Sequence, residues 1–173
     1  GTGDYVSITS NEDWNFGSGD FTIDCWFYVP NVTGNKTIIA GNTDFWMGTL
    51  LIGNLMCYYA SSNGTTWNLL VGDTGSLNGR GTIAVTAATW HHLAYVRNGD
   101  RWMGFIDGVM DINTVVAGSI IARSEAKNIG RWGNNTNYLD GYISEFRISK
   151  GIARWTMNFT PPTGPYPEYR DVY

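Results

Sequence analysis

The stretch Gly133–Pro162, GNNTNYLDGYISEFRISKGIARWTMNFTPP, decides the fold. Within Tyr138–Ser149, residues Tyr142, Ser144, Phe146 and Ile148 share one face, and Ile143, Glu145, Arg147 and Ser149 share the other. A period of two is that of a half-buried β-strand. One short turn of helix is expected over Lys150–Trp155, followed by a proline stop at Pro161–Pro162.

The same period recurs upstream. In Phe21–Val29, ended by Pro30, residues Phe21, Ile23, Cys25, Phe27 and Val29 line one face, with Thr22, Asp24, Trp26 and Tyr28 on the other. Trp90–Arg97 and Arg101–Ile106 flank Asn98-Gly99-Asp100, a strong hairpin signal. Further strands are expected over Asp4–Thr9, Thr37–Ala40, Phe45–Ile52, Leu55–Ala60, Trp67–Val71, Val109–Asn113, Ser119–Ala122 and Lys127–Gly130. Gly72–Gly81 carries glycine at 72, 75, 79 and 81 and reads as a surface loop. Many short strands at this spacing predict an all-β, two-sheet antiparallel sandwich. Pro161–Tyr173 holds four of the five prolines. We therefore expect a sandwich over 1–162 and an extended arm or linker, 163–173, that leaves it.

Composition agrees. The 173 residues suit one domain, and 22 Gly, 8 Trp and 10 Tyr favour short strands joined by tight turns. A net charge of −4 with 11 scattered basic residues speaks against nucleic acid as partner, because phosphate contacts need clustered Lys and Arg. The same scatter disfavours a charged membrane surface, and no apolar run approaches the roughly 20 residues of a membrane-spanning helix. GTGDYVSITS shows no basic-then-apolar pattern, so a signal peptide is expected to be absent or removed. Cys25 and Cys57 each sit in an apolar strand pattern. Two buried thiols and a single cross-strand disulfide both fit.

With those elements in place, the chain resembles the laminin G-like jelly rolls of the concanavalin A-like lectin/glucanase superfamily. The phrases GTGDYVSI, GSGDFTIDCWFYV, TWHHLAYVRNG, GFIDGV, KNIGR and LDGYISEFRIS carry the resemblance across nearly all of residues 3–162. Versions ending in EFRISKGIARWT-NFTPP look like those of phage tail, fibre and decoration proteins. The resemblance implies a jelly-roll sandwich, a binding module and a virion or extracellular location. Many relatives carry an Asp at the position of Ser144 that supplies a calcium ligand on the convex sheet. Calcium prefers several hard oxygens with carboxylate charge, so Ser144 weakens that site, leaving Asp140 or carbonyls near Gly3 and Gly19. No cofactor or metal is expected to be required.

Catalytic patterns are sparse. Retaining glycoside hydrolysis needs two carboxylates about 5–5.5 Å apart. Glu145, however, has no acidic neighbour two or four residues along its strand. His91 and His92 point to opposite faces and cannot share one ion, and His92 is expected to be a hydrogen-bonded core residue. The expectation is no enzyme. The Asn-X-Ser/Thr triplets at Asn31, Asn35, Asn63, Asn134 and Asn158 would suggest glycans in a secreted eukaryotic chain, but an Asn- and Thr-rich composition produces such triplets by itself.

Recognition remains. A sugar site pairs an aromatic face with nearby amides or carboxylates for the hydroxyls. Trp132, Asn134, Asn135 and Tyr138 form one such group, and Tyr58-Tyr59 with Trp67-Asn68 form a second. Trp132, Asn134, Asn135, Tyr138 and Trp67 are the candidate ligand-binding residues. The leading expectation is glycan recognition on a host surface by a phage virion. The alternative is a decoration or tail protein working through contacts with other virion proteins or a homo-oligomer.

Overall fold

The computed structural model describes residues 3–41, 46–73, 78–133 and 135–166. Among them eleven strands form two antiparallel sheets. They are β1 Val6–Ile8, β2 Phe21–Tyr28, β3 Asn35–Gly41, β4 Met47–Ile52, β5 Leu55–Ala60, β6 Arg80–Ala84, β7 Trp90–Asn98, β8 Arg101–Ile106, β9 Val109–Val115, β10 Lys127–Ile129 and β11 Tyr142–Lys150. Sheet A runs β1-β10-β3-β4-β5-β6, and sheet B runs β11-β2-β7-β8-β9. A single 3-10 turn, Glu12–Trp14, is the one helical element among the described residues. The fold is the expected all-β sandwich.

The turns form where the chemistry demands. Ile106 pairs with Val109 across Asp107 and Gly108, whose φ values of 51° and 76° are the two positive angles that a type I′ turn requires. Asp107 also anchors the neighbouring strand. Its Oδ1 accepts from His92 N at 2.8 Å, and its Oδ2 lies 2.7 Å from His91 Nδ1. Thr86 N donates to His91 Nε2 at 3.2 Å, so the imidazole bridges two loops as a structural group.

Between the sheets, Phe21, Ile23, Cys25 and Phe27 of β2 and Leu93 and Tyr95 of β7 meet Met47, Leu51, Met56 and Tyr58 of sheet A. Fully burying each large apolar side chain contributes about 1.5–3 kcal/mol. Gly104 of β8 lets the Tyr58 ring reach across, since a Cβ there would stand 2.3 Å from Tyr58 Cζ. Tyr95 Oη donates to Tyr59 O at 3.3 Å, a polar tie between the two layers.

Several expectations are corrected. The alternation of the closing strand breaks at a bulge between Ser144 and Arg147, with Glu145 at φ 53°. As a result Ile143, Phe146 and Ile148 pack on the core, while Ser144 lies opposite Trp26 and Arg147 opposite Asp24. No helical turn forms over Lys150–Trp155. Gly151 takes φ 80° and donates to Asp20 O, Thr22 Oγ1 donates to Ile152 O at 2.8 Å, and Arg154 N donates to Thr22 Oγ1 at 2.9 Å. These tertiary bonds occupy groups that a helical turn would pair internally.

Trp67–Val71 and Ser119–Ala122 are not strands, and Leu70 makes only an isolated bridge to Ala60. β6 instead begins inside the expected Gly72–Gly81 loop. The chain after β11 does not leave the sandwich as far as Tyr166. It runs as a strap over the outer face of sheet B, with Trp155 and Phe159 stacked at 4.0 Å and Trp26 Nε1 donating to Pro162 O at 3.0 Å. Apolar Ala94, Val96, Met103 and Phe105 lie beneath it, which explains why that face needs a cover.

Candidate functional site

Sheet A presents Leu50, Cys57 and Tyr59 on its outer face. Two connecting segments lay rings over them. Trp67 arrives on a loop held by Asn63 Oδ1, which accepts from Thr65 N at 2.9 Å and Thr66 N at 3.0 Å. Asn68 Oδ1 accepts from Ser62 N at 2.8 Å and closes the same loop. Trp132 follows β10 in a tight turn closed by Trp132 N donating to Thr136 O at 3.0 Å. Gly48 admits the indole, because a Cβ there would meet Trp132 Cζ3 at 3.1 Å.

The two aromatic groups, remote in sequence, thus become one. Tyr59 lies 5.2 Å from Trp67 and 5.7 Å from Trp132, and the two indoles are 5.8 Å apart and tilted by 69°. Both tryptophans are half-buried, so part of each ring faces solvent. Burial, with smaller effects from Cys57 and the exposed Asp73, pushes the Tyr59 hydroxyl far above its usual range, so it stays neutral. The site offers apolar ring surface flanked by the exposed polar side chains of Asn68 and Asp73.

The other candidates fall elsewhere. Tyr138 packs 6.3 Å from Tyr5, whose ring also carries the Arg131 guanidinium at 3.6 Å. Asn135, at φ 61°, accepts from Arg131 Nη1. These two therefore belong to a cluster around Tyr5 and not to the Trp67–Trp132 pair. Asn134 lies outside the described residues. Tyr58, paired with Tyr59 in the sequence, points into the core instead. Trp67 covers the outside of sheet A and does not fill the core between the sheets.

Sequence reading missed the polar cluster beneath the strap. Arg147 Nε donates to Asp24 Oδ1 at 3.0 Å, and its Nη2 donates to Oδ2 at 2.8 Å. Burial tends to raise the Asp24 carboxyl. His92, Arg147 and Tyr166 outweigh that and hold it below its ordinary value. His92 Nε2 lies 3.1 Å from Tyr166 Oη, and its ring is walled by Trp26, Trp155 and Phe159. His92 is thus buried and hydrogen-bonded as expected, but under the strap. Glu145 Oε2 accepts from Tyr166 N at 2.7 Å. The sequence shows Asp24 and Trp26 on one face of β2, but not the strap that closes over them.

Asp140 lies 3.8 Å from Lys36 Nζ, and Ser144 stands exposed on the outer face of sheet B. Among the described residues no group of three or more His, Cys, Asp or Glu comes together as a metal cage. Cys25 and Cys57 are free, and they lie on different sheets. No helix among the described residues is long and apolar enough to cross a membrane.

The Laminin_G_3 family, of the concanavalin A-like lectin/glucanases superfamily, matches residues 1–154. No curated protein matches the chain in sequence. Among solved structures, a Bacteroides ovatus protein to which carbohydrate binding is ascribed is 14% identical with a TM-score of 0.61, over 91% of this chain and 42% of that one. Domain 4 of the extracellular arabinanase AbnA of Geobacillus stearothermophilus, solved with arabinotriose, is 18% identical with a TM-score of 0.56, over 84% and 64%. Domains LG4–5 of the mouse laminin α1 chain are 14% identical with a TM-score of 0.60, over 95% and 45%. At such identities the likeness establishes the fold, and this chain spans less than half of the Bacteroides and laminin chains.

Proposed function

Because the chain belongs to the Laminin_G_3 family of the concanavalin A-like lectin/glucanase superfamily, we propose that it is a non-catalytic recognition module that binds glycans. The observation that carries this reading is the convergence of Tyr59, Trp67 and Trp132 on one outer face, with indole surface open to solvent. An aromatic face meets the C–H side of a sugar ring, while the exposed Asp73 carboxylate beside Tyr59 supplies a partner for hydroxyls. The arabinanase domain solved with arabinotriose and the carbohydrate binding ascribed to the Bacteroides protein support the same reading. The two outer-face carboxylates of sheet B, Asp24 and Glu145, are engaged by Arg147 and by Tyr166 N, which favours binding over hydrolysis.

The finer reading is adhesion of a phage particle to glycans of its host, outside the cell. It rests on the closing phrase EFRISKGIARWT, and glycan binding itself does not depend on it. The test is a glycan array probed with the wild type, Trp132→Ala and Trp67→Ala. Retained glycans should lose at least about tenfold in signal in both variants, in keeping with roughly 1–3 kcal/mol for a lost ring contact. An empty array, or hits indifferent to both substitutions, would remove this site from consideration.

A further inference from the structure

The strap leaves one row of sheet B uncovered. Tyr142 of β11, Tyr28 of β2 and Trp90 of β7 are direct cross-strand partners. Their rings follow one another at 5.8 Å, each outer ring tilted by 52° to Tyr28. Strands lie about 4.7–4.9 Å apart, so the row forms a ridge about 10 Å across. Tyr142 is 64% and Trp90 44% exposed, unlike the next row, where His92 is fully buried under the strap.

Between the ridge and the strap lies a cleft of about 270 Å³, lined by Trp26 and Trp90, by Ser144 and Glu145, and by Thr163–Pro165. Its wall is fixed. Trp26 Nε1 donates to Pro162 O, and Glu145 Oε2 accepts from Tyr166 N. We propose that this ridge and cleft form a second carbohydrate site, on the sheet opposite the Trp67–Trp132 cluster, and that its ligand is a neutral glycan.

The chemistry selects that ligand. Ring faces beside the Ser144 and Thr163 hydroxyls and the Glu145 carboxylate match the apolar and hydroxyl sides of a sugar. Glu145 is the sole charged residue of the lining, and the chain carries a net charge of −4, so an anionic sugar meets repulsion that a neutral one does not. Ligand pockets for drug-sized molecules run roughly 300–1,000 Å³. The cleft falls just under that range, so it takes one sugar residue while the ridge supports its neighbours. This proposal shares the glycan chemistry of the preceding section but none of its residues.

The test is an array of neutral and acidic oligosaccharides probed with the wild type, the double variant Trp90→Ala/Tyr142→Ala, and Trp132→Ala. Both ridge side chains are exposed, so the double variant should keep the wild-type melting temperature to within a few degrees. Expected is a set of neutral glycans whose signal falls at least tenfold in the ridge variant and persists in Trp132→Ala. Indole N–H resonances of Trp26 and Trp90 should shift on adding those glycans. Signals lost only in Trp132→Ala overturn this site and leave the first standing, whereas an empty array overturns both. Light scattering that shows a dimer dispersed by the ridge substitutions also overturns it, since a second copy would then be the occupant.

Discussion

Asp24 shows how one buried charge ties sequence to stability. Its side chain is fully buried against Arg147, and the folded carboxyl titrates below its ordinary value of 3.8. A depressed carboxyl contributes stability that is complete above the unfolded value and lost as the pH falls through the folded one. Urea midpoints measured from pH 5 to pH 2 should therefore drop, and Asp24→Asn should flatten that drop while costing about 3–5 kcal/mol at neutral pH. Asp111 works in the opposite direction. Burial raises it, against hydrogen bonds from Ile83 and Thr82 N–H, so its destabilising charge fades as the pH falls through the raised value. Cys57 makes a second residue-level case. Burial pushes its thiol up to about 11, with the Arg80 charge opposing. An Ellman assay on the native protein at pH 8 should find neither Cys25 nor Cys57 reactive within minutes, and both should react in denaturant.

At the level of elements, the strap from Gly151 to Tyr166 matters most. It substitutes for a further layer by covering Ala94, Val96, Met103 and Phe105. Phe159→Ala removes the ring stacked on Trp155 at 4.0 Å and facing Phe105 at 5.4 Å. Because Phe159 is only half-buried, a loss of about 2–3 kcal/mol is expected by chemical denaturation, at or below the lower limit of the roughly 3–5 kcal/mol for a fully buried aromatic truncated to Ala. Retention of full stability would show that the strap is loosely held. Much of this level was legible beforehand. The faces of β2 and β7 follow from their period of two, and the β7–β8 hairpin follows from Asn98-Gly99. The bulge at Glu145 was not legible, because one extra residue shows only in the register of β2 opposite it. Nor was the absence of a helical turn at Lys150–Trp155, where Thr22, far away in sequence, takes the backbone groups. The candidate site was half legible. Trp67 and Trp132 each stood in an aromatic and amide-rich group, Trp67 in a stretch expected as a strand, but their meeting depends on the sheet order, which places β10 beside β3.

For the whole molecule, the separation of the sheets is set by contacts such as Tyr58 over Gly104. Gly104→Ala would force a Cβ to within 2.3 Å of Tyr58 Cζ, and β8 cannot retreat without straining its pairs with β7 and β9. Overpacking of this kind costs about 1–3 kcal/mol, so thermal unfolding should shift down by several degrees while remaining cooperative. A variant as stable as the wild type would mean that the two layers slide freely. The strap has a further, mechanical consequence. Its last described residues lie over β2 and β11, the edge strand of its layer, and separate hydrogen bonds fasten them, from Trp26 Nε1 to Pro162 O, from Tyr166 N to Glu145 Oε2 and between Tyr166 Oη and His92 Nε2. A pull applied beyond Tyr166 would break these fasteners one at a time, like a zip, before any load reached the paired strands. The strap would then yield first, paying out slack and opening the cleft that Thr163–Pro165 wall, while the Trp67–Trp132 face on the opposite sheet kept its shape.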